Sequence, residues 1–329
     1  MTIKTTDLYQ SGRRAYKNSK LVLRHIYNLL TDRSPKILIL AYHRVVPVFK
    51  PGLLNNTVSL QTFEKQICAL ARRFPVISLS DAANQCISGS AKAAIQLVLT
   101  FDDGYLDNYE IVFPILKRNG FQATFFLITE YINSGGPLWD LEVINILKSG
   151  HSTRGVEMDG QIIKQGIIEP RSIFIYRVLD KMKSINFTGR QDIIHSLGIK
   201  SNNRNEFDYA QDRCLTWEEA RKMSDAGMEI GSHSLSHRSL ARIPLSEAQE
   251  EIKESKEIVE HSIGRACHHF SFPFGGKQDY NQALINCVRE SGYKTCLLNI
   301  HGYNRIKKDS FCFKRIIMEE EANVAHMLG

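Results

Sequence analysis

Two short stretches carry residues whose types and spacing could do chemistry. The first is Thr100-Phe101-Asp102-Asp103-Gly104, at the end of an apolar run. Adjacent carboxylates held close together repel each other and lose hydration, a cost that a nearby cation removes. Gly104 permits a tight turn that a Cβ-bearing residue resists. A solvated Asp-Asp-Gly surface turn would use the same residues. The second stretch is His233-Ser234-Leu235-Ser236-His237. Its i, i+4 spacing predicts two imidazoles on one side of a helical turn, able to share a metal ion. One carboxylate with two imidazoles leaves positions open for water and substrate, as in catalytic rather than structural metal sites.

The elements that must position these residues alternate between strand and helix. Strands are predicted at Ile37–Tyr42, Val76–Ser78, Ile95–Phe101, Ala123–Ile128, Met228–Ile230, His269–Phe272, Thr295–Leu298 and Phe313–Met318. Phe63, Ile67, Leu70 and Ala71 share one helical face. Further helices are predicted from Ser80-Asp81, over Tyr109–Asn119 with a stop at Gly120, and over Gln282–Glu290. Thr216-Trp217-Glu218-Glu219 is a capping box for a helix ending at Gly227, and Ser246 opens a helix to Ile263 with a Ser-x-x-Gln box of its own. Such alternation implies a parallel sheet covered by helices, closed or partly closed into a (β/α) barrel of about seven to eight strands. Chemistry in such barrels sits at the C-terminal strand ends. That rule selects His43, Asp102, Asp103, His233, His237 and Phe274. Residues 131–210 break the rhythm and read as an insertion near the barrel mouth.

The 329 residues are 43% hydrophobic and 23% charged, which excludes global disorder. The longest purely apolar run, Ile37–Ala41, is far short of the roughly 18–20 residues that span a bilayer. No secretory signal is evident, so a cytoplasmic location is expected. The net charge of +7 is concentrated at one end: residues 1–36 hold eight basic and two acidic side chains. This segment, read as distinct from a main domain at 37–329, could form a basic amphipathic helix. It would either dock on the main domain or lie at the inner membrane face. No nucleic-acid-binding motif accompanies the charge. The seven cysteines lack a Cys-x-x-Cys pair and fall partly in apolar runs, so buried reduced thiols are expected.

Thr100–Gly104 and His233-Ser234-x-x-His237 resemble the first two signatures of the polysaccharide deacetylases, carbohydrate esterase family 4. Leu215–Glu219, Gly227–His233, Tyr42-His43-Arg44-Val45 and Phe272-Pro273-Phe274-Gly275 extend the resemblance over about residues 37–318, outside the insertion. It implies a distorted (β/α) barrel and metal-dependent removal of an N-acetyl group from an amino sugar of a polysaccharide or glycan precursor. It also implies that Asp103, His233 and His237 bind the metal, that Asp102 is the general base, and that the Phe274 N–H stabilises the oxyanion. Zinc is the default ion for such ligands, with cobalt, nickel or manganese as alternatives. The family's third signature often begins with an Arg that orients the base, and here that position is Ser271. The fourth signature, Asp-x-x-Asp-Trp, is absent, and the Leu-x-His of the fifth is not present in that form. This pattern resembles the exopolysaccharide-deacetylase branch. Asp102 must then be held by water or by a Lys or Arg elsewhere, and the general acid is expected to be His43, with His301 second. Alternatives are a deformylase or deacetylase of a lipid-linked sugar, a non-catalytic carbohydrate-binding barrel, and an iron oxygenase. The last is disfavoured by the strand–helix alternation and the long gap from Asp to His pair.

Overall fold

In the computed structural model the described residues are 34–49, 56–148, 155–158, 160–201 and 212–322. Most of the basic segment, residues 1–33, and part of the insertion lie outside them. One sheet organises the chain: β1 (Lys36–Tyr42), β2 (Ile95–Phe101), β3 (Thr124–Leu127), β4 (Glu229–Ser232), β5 (His269–Ser271), β6 (Thr295–Leu298), β7 (Asn304–Arg305), β8 (Cys312–Lys314) and β9 (Ile316–Ile317). Strands β1 to β6 run side by side in sequence order and in parallel. β8 then pairs parallel to β6, and one residue later β9 pairs parallel to β1. The sheet is thereby nearly closed into a distorted (β/α) barrel, with only the short β7 antiparallel on β1.

Strands in such a barrel are apolar on both faces. Leu38, Leu40, Tyr42, Leu97, Leu99 and Phe101 pack with helical residues such as Phe63 and Ile67. The alternate set, including Ile39, Val98, Phe126, Leu297 and Phe313, forms a separate interior cluster. Leu79, Ala82 and Cys86 of the helix Leu79–Ser88 join that cluster, so this helix plugs one end of the barrel. Register partners Tyr42, Phe101 and Phe125 stack at 5.4 and 4.9 Å just below the strand ends that carry the site.

The plugging helix is tied down by Glu229 at the start of β4. Its carboxylate accepts hydrogen bonds from the Leu79 and Ser80 N–H groups (both 3.1 Å) and from Thr124 Oγ1 (2.6 Å). Burial opposes the charge, but His269, Thr124 and Ser80 overcome it and hold the carboxyl near pH 2 instead of 4.5. A depressed folded-state value stabilises the fold above about pH 4.5, and that contribution disappears as pH falls towards 2. Glu229→Gln is therefore expected to lower unfolding free energy by about 3 kcal/mol at pH 7 and by much less at pH 3. Urea denaturation at the two pH values checks this.

Four expectations are corrected. Val76–Ser78 forms only an isolated bridge, Val76 to Leu97, because the chain turns at once into the plugging helix. The helix Leu245–Ile263 starts from Pro244 without a side-chain cap, so the Ser246 box is not used. The last predicted strand is broken at Arg315, where pairing changes from β6 to β1. The His233–His237 stretch is a loop and not a helical turn: Ser234 and His237 have φ of 66° and 59°. The capping box at Thr216 forms with both its hydrogen bonds. All seven cysteines are free thiols, five of them buried. Among the described residues no helix is long and apolar enough to cross a membrane.

Candidate active site

Asp102 and Asp103 follow β2 directly, and His233 follows β4. Asp103 has φ 75° and Gly104 φ 73°, so the chain reverses tightly here. A Cβ on Gly104 would lie 2.8 Å from Leu127 Cδ2, which explains why this position needs glycine. The reversal gives the two carboxylates different principal partners, Arg315 for Asp102 and His237 for Asp103, with His233 near both. Asp103 Oδ1 lies 3.4 Å from His233 Nε2 and 3.5 Å from His237 Nε2. These contacts are too long for good hydrogen bonds, and the buried oxygen has no hydrogen-bond partner. One donor atom from each of the three residues falls within 4.8 Å of the others. An orphaned carboxylate oxygen facing two imidazole nitrogens fits a divalent cation of zinc type.

Outer contacts hold these donors in place. His233 Nδ1 bonds the Ser271 carbonyl at 2.7 Å, which leaves Nε2 for the cluster. Ser234 Oγ accepts from the His237 N–H, and Arg190 donates to the Ser236 and His237 carbonyls. Glu251 accepts from the Leu235 and Ser236 N–H groups at 3.0 and 2.9 Å and from the Ser236 hydroxyl. Burial drives His237 down to about 3, outweighing the Asp103 charge, so its imidazole is neutral and ligand-ready at pH 7. For His233 burial also disfavours the cation, but Asp102 and Asp103 together raise it. Glu251→Ala, which frees the loop backbone, is expected to weaken zinc affinity about 10- to 100-fold. Competition against a chelating dye measures this.

Asp102 is fully buried, with one oxygen 3.9 Å from His233 Nε2 but its hydrogen bonds made elsewhere. Arg315 Nη1 and Nη2 each donate to one of its oxygens at 2.7 Å, a bidentate pair. Arg315, also fully buried, donates further to Ser271 Oγ (3.0 Å) and to Asn299 Oδ1. Burial pushes the Asp102 carboxyl up, but Arg315, His233 and His43 hold it below the usual carboxylate range. Arg315 is the cation that the sequence left unassigned. It comes from the break between β8 and β9 and bonds the serine that replaces the family's arginine.

His43 stands at the end of β1, 8% exposed, with Nε2 4.0 Å from Asp102 Oδ2. Burial lowers its basicity despite both aspartates. Its carbonyl accepts from Asn108 Nδ2, and the next residue, Arg44, pairs with Asp107 at 2.8 Å, which fixes this strand end against the Asp-Asp-Gly turn. The imidazoles acting most strongly on the two aspartates are His43, His233 and His237. His301 lies on the connection from β6 to β7 and is half-buried. Phe274 has φ 62° and its ring packs 4.7 Å from that of His237. Lys183 Nζ sits 4.5 Å above the Phe274 ring. Gly275, also left-handed, would place a Cβ 2.8 Å from the Asn299 nitrogen. Asn299 in turn donates to the Phe274 carbonyl at 2.9 Å, linking this turn to Arg315.

The helix Trp139–Lys148 adds Asp140, whose carboxyl is pushed up to about 6 by burial and by the Asp103 charge. Arg190 stacks 4.4 Å from the Trp139 ring and so links this helix to the histidine loop. Neither residue is visible as a site residue in the sequence, because no local motif marks it.

The family model described as polysaccharide deacetylase matches residues 90–155 and 180–296, more than half of the chain. YxkH of Bacillus subtilis (strain 168), provisionally named a polysaccharide deacetylase, is 21% identical over 269 residues, which are 80% of this chain and 64% of YxkH. The chain thus spans less than two thirds of that relative's length. The Streptococcus pyogenes deacetylase PplD, solved in complex with acetate, superposes with a TM-score of 0.58 at 17% identity, over 90% of this chain and 99% of its own. IcaB from Ammonifex degensii superposes with a TM-score of 0.58 at 16% identity, over 90% and 98%. At such identities the likeness to the solved structures is one of fold.

Proposed function

Since the chain belongs to the polysaccharide deacetylase family, we propose that it hydrolyses the N-acetyl group of an amino sugar in a glycan, with Asp102 as the general base. The observation that carries this reading is the division of labour between two adjacent carboxylates. Asp103 faces two imidazoles, while Asp102 is clamped by Arg315 and kept ionised. A divalent cation held by Asp103, His233 and His237, zinc by the donor set, would supply Lewis-acid polarisation of the amide carbonyl.

The chain's own residues account for the proton transfers. Asp102 takes the proton of the attacking water as the oxygen–carbon bond forms. The Phe274 N–H donates to the oxyanion that develops on the former carbonyl oxygen. His43, whose Nε2 lies 4.0 Å from Asp102 Oδ2, takes up the proton that Asp102 has accepted and gives it to the leaving amine nitrogen as the carbon–nitrogen bond breaks. The products are acetate and a free amino sugar. His301 is the second candidate proton donor, following Ile300, whose carbonyl accepts from the Arg315 N–H at 3.2 Å.

The substrate is either a polymer or a lipid-linked precursor reached by residues 1–36 at the inner membrane face. Acetate release from a soluble N-acetylglucosamine oligomer and from a polyprenyl-linked N-acetylated sugar in detergent tests both. Release from one of the two is expected and fixes the substrate class. Release from neither by zinc-loaded protein would overturn the assignment to N-acetyl sugars.

A further inference from the structure

Cys296 on β6 and Cys312 on β8 are register partners in adjacent parallel strands, and their Sγ atoms lie 2.8 Å apart. Paired strands run about 4.8 Å apart, inside the Cα separation of about 4.4–6.8 Å that disulfides occupy. A disulfide needs about 2.05 Å between sulfurs, so the two atoms have less than about 1 Å to travel. Cys296 is buried and Cys312 half-buried, which makes Cys312 the thiol open to a solution oxidant. The Arg289 guanidinium acts on both thiols and stacks 4.3 Å from the Phe311 ring beside them. Burial and the neighbouring Cys312 push the Cys296 thiol well above its ordinary range, whereas the hydrogen bond from Cys296, helped by Arg289, holds Cys312 below it. The location gives the pair a structural consequence. The segment 312–317 closes the barrel seam, with Cys312 on the β6 side, Ile316 on the β1 side and Arg315 between them.

We propose that Cys296 and Cys312 are a reversible disulfide site that staples the barrel seam. The co-reactant is a low-molecular-weight disulfide such as oxidised glutathione. The Cys312 thiolate attacks one glutathione sulfur, forming a mixed disulfide and releasing one glutathione thiolate. The Cys296 thiol then loses its proton as its sulfur attacks Cys312 Sγ, and the second glutathione leaves as the thiol. Two protein thiols are oxidised and one disulfide is reduced to two thiols. The bridge closes a short loop, since the cysteines are sixteen residues apart, and restricts the unfolded chain accordingly. The site is independent of what the barrel catalyses.

The test uses the full chain in glutathione buffers stepped from fully reduced to fully oxidised, with remaining thiols alkylated and peptides mapped by mass spectrometry. The expected result is a linked Cys296–Cys312 peptide, lighter by two hydrogen atoms, that dithiothreitol reverses. The oxidised protein is expected to melt about 5 °C higher than the reduced one. Cys312→Ser should melt like the reduced protein in both buffers, and Cys296→Ser should stop at a glutathione adduct on Cys312. No linked peptide in the oxidised buffer, or a link that joins a different pair such as Cys68 with another thiol, would overturn the proposal. So would an oxidative melting shift that persists unchanged in Cys312→Ser.

Discussion

Replacing Arg315 by methionine is expected to lower kcat about 10²- to 10³-fold and to destabilise the protein by about 3–5 kcal/mol. Both effects come from one contact. Arg315 holds both oxygens of a carboxylate that has no exposure to solvent. Without its partner, Asp102 is an uncompensated buried charge, the situation in which a broken ion pair costs most. The carboxyl must then take a proton or turn away, and in either state it no longer accepts one from water. A base displaced by about 1 Å already costs about a hundredfold. Arg315→Lys is not expected to restore the rate, because a single ammonium cannot make the planar two-point contact while also reaching Ser271 and Asn299. Steady-state kinetics with urea denaturation of both variants tests this. A lysine variant with wild-type kcat would show that only charge is needed at 315.

Asp102→Asn is expected to reduce kcat by about 10²- to 10⁴-fold while leaving zinc stoichiometry unchanged. Asparagine keeps the shape but cannot accept a proton from water, and general base catalysis contributes roughly 10²–10⁴. The retained metal follows from geometry. The donor atoms that meet within 4.8 Å belong to Asp103, His233 and His237, not to Asp102. Elemental analysis beside acetate release separates the two roles. Loss of metal in Asp102→Asn would make Asp102 a ligand, and full activity would remove it from the reaction. By contrast, in a non-catalytic sugar-binding barrel this substitution would leave sugar binding intact and there would be no turnover to lose.

The four central residues were legible because each lies in a short contiguous motif at a strand end, where barrel geometry collects them. Arg315 was not, since its contact with Asp102 spans 213 residues of sequence. A faint signal existed: an arginine inside the apolar stretch from Phe313 to Met318, at a position that shares Phe313's inward face. Buried arginines are rare unless paired, so such a residue points to an acidic partner in the core. The loop geometry of His233–His237 was hidden for a different reason. An i, i+4 spacing reads as a helical turn, yet the left-handed Ser234 and His237 are imposed by tertiary contacts with Glu251 and Arg190. Arg190 and Asp140 lie on helices of the stretch read as an insertion, where sequence patterning showed only a break in rhythm. The strands were read well where parallel strands buried on both faces leave continuous apolar runs, and less well at Val76–Ser78, which makes only a single bridge, and where the last strand splits to close the seam.

The most direct test of the account is the metal content of the zinc-loaded, desalted protein beside that of a His233→Ala/His237→Ala double variant whose fold is verified by circular dichroism. About one zinc per chain in the natural protein and none in the variant is the predicted result. Equal metal in both, or none retained by either, would contradict the assignment of Asp103, His233 and His237 as the ligands and with it the proposed hydrolysis.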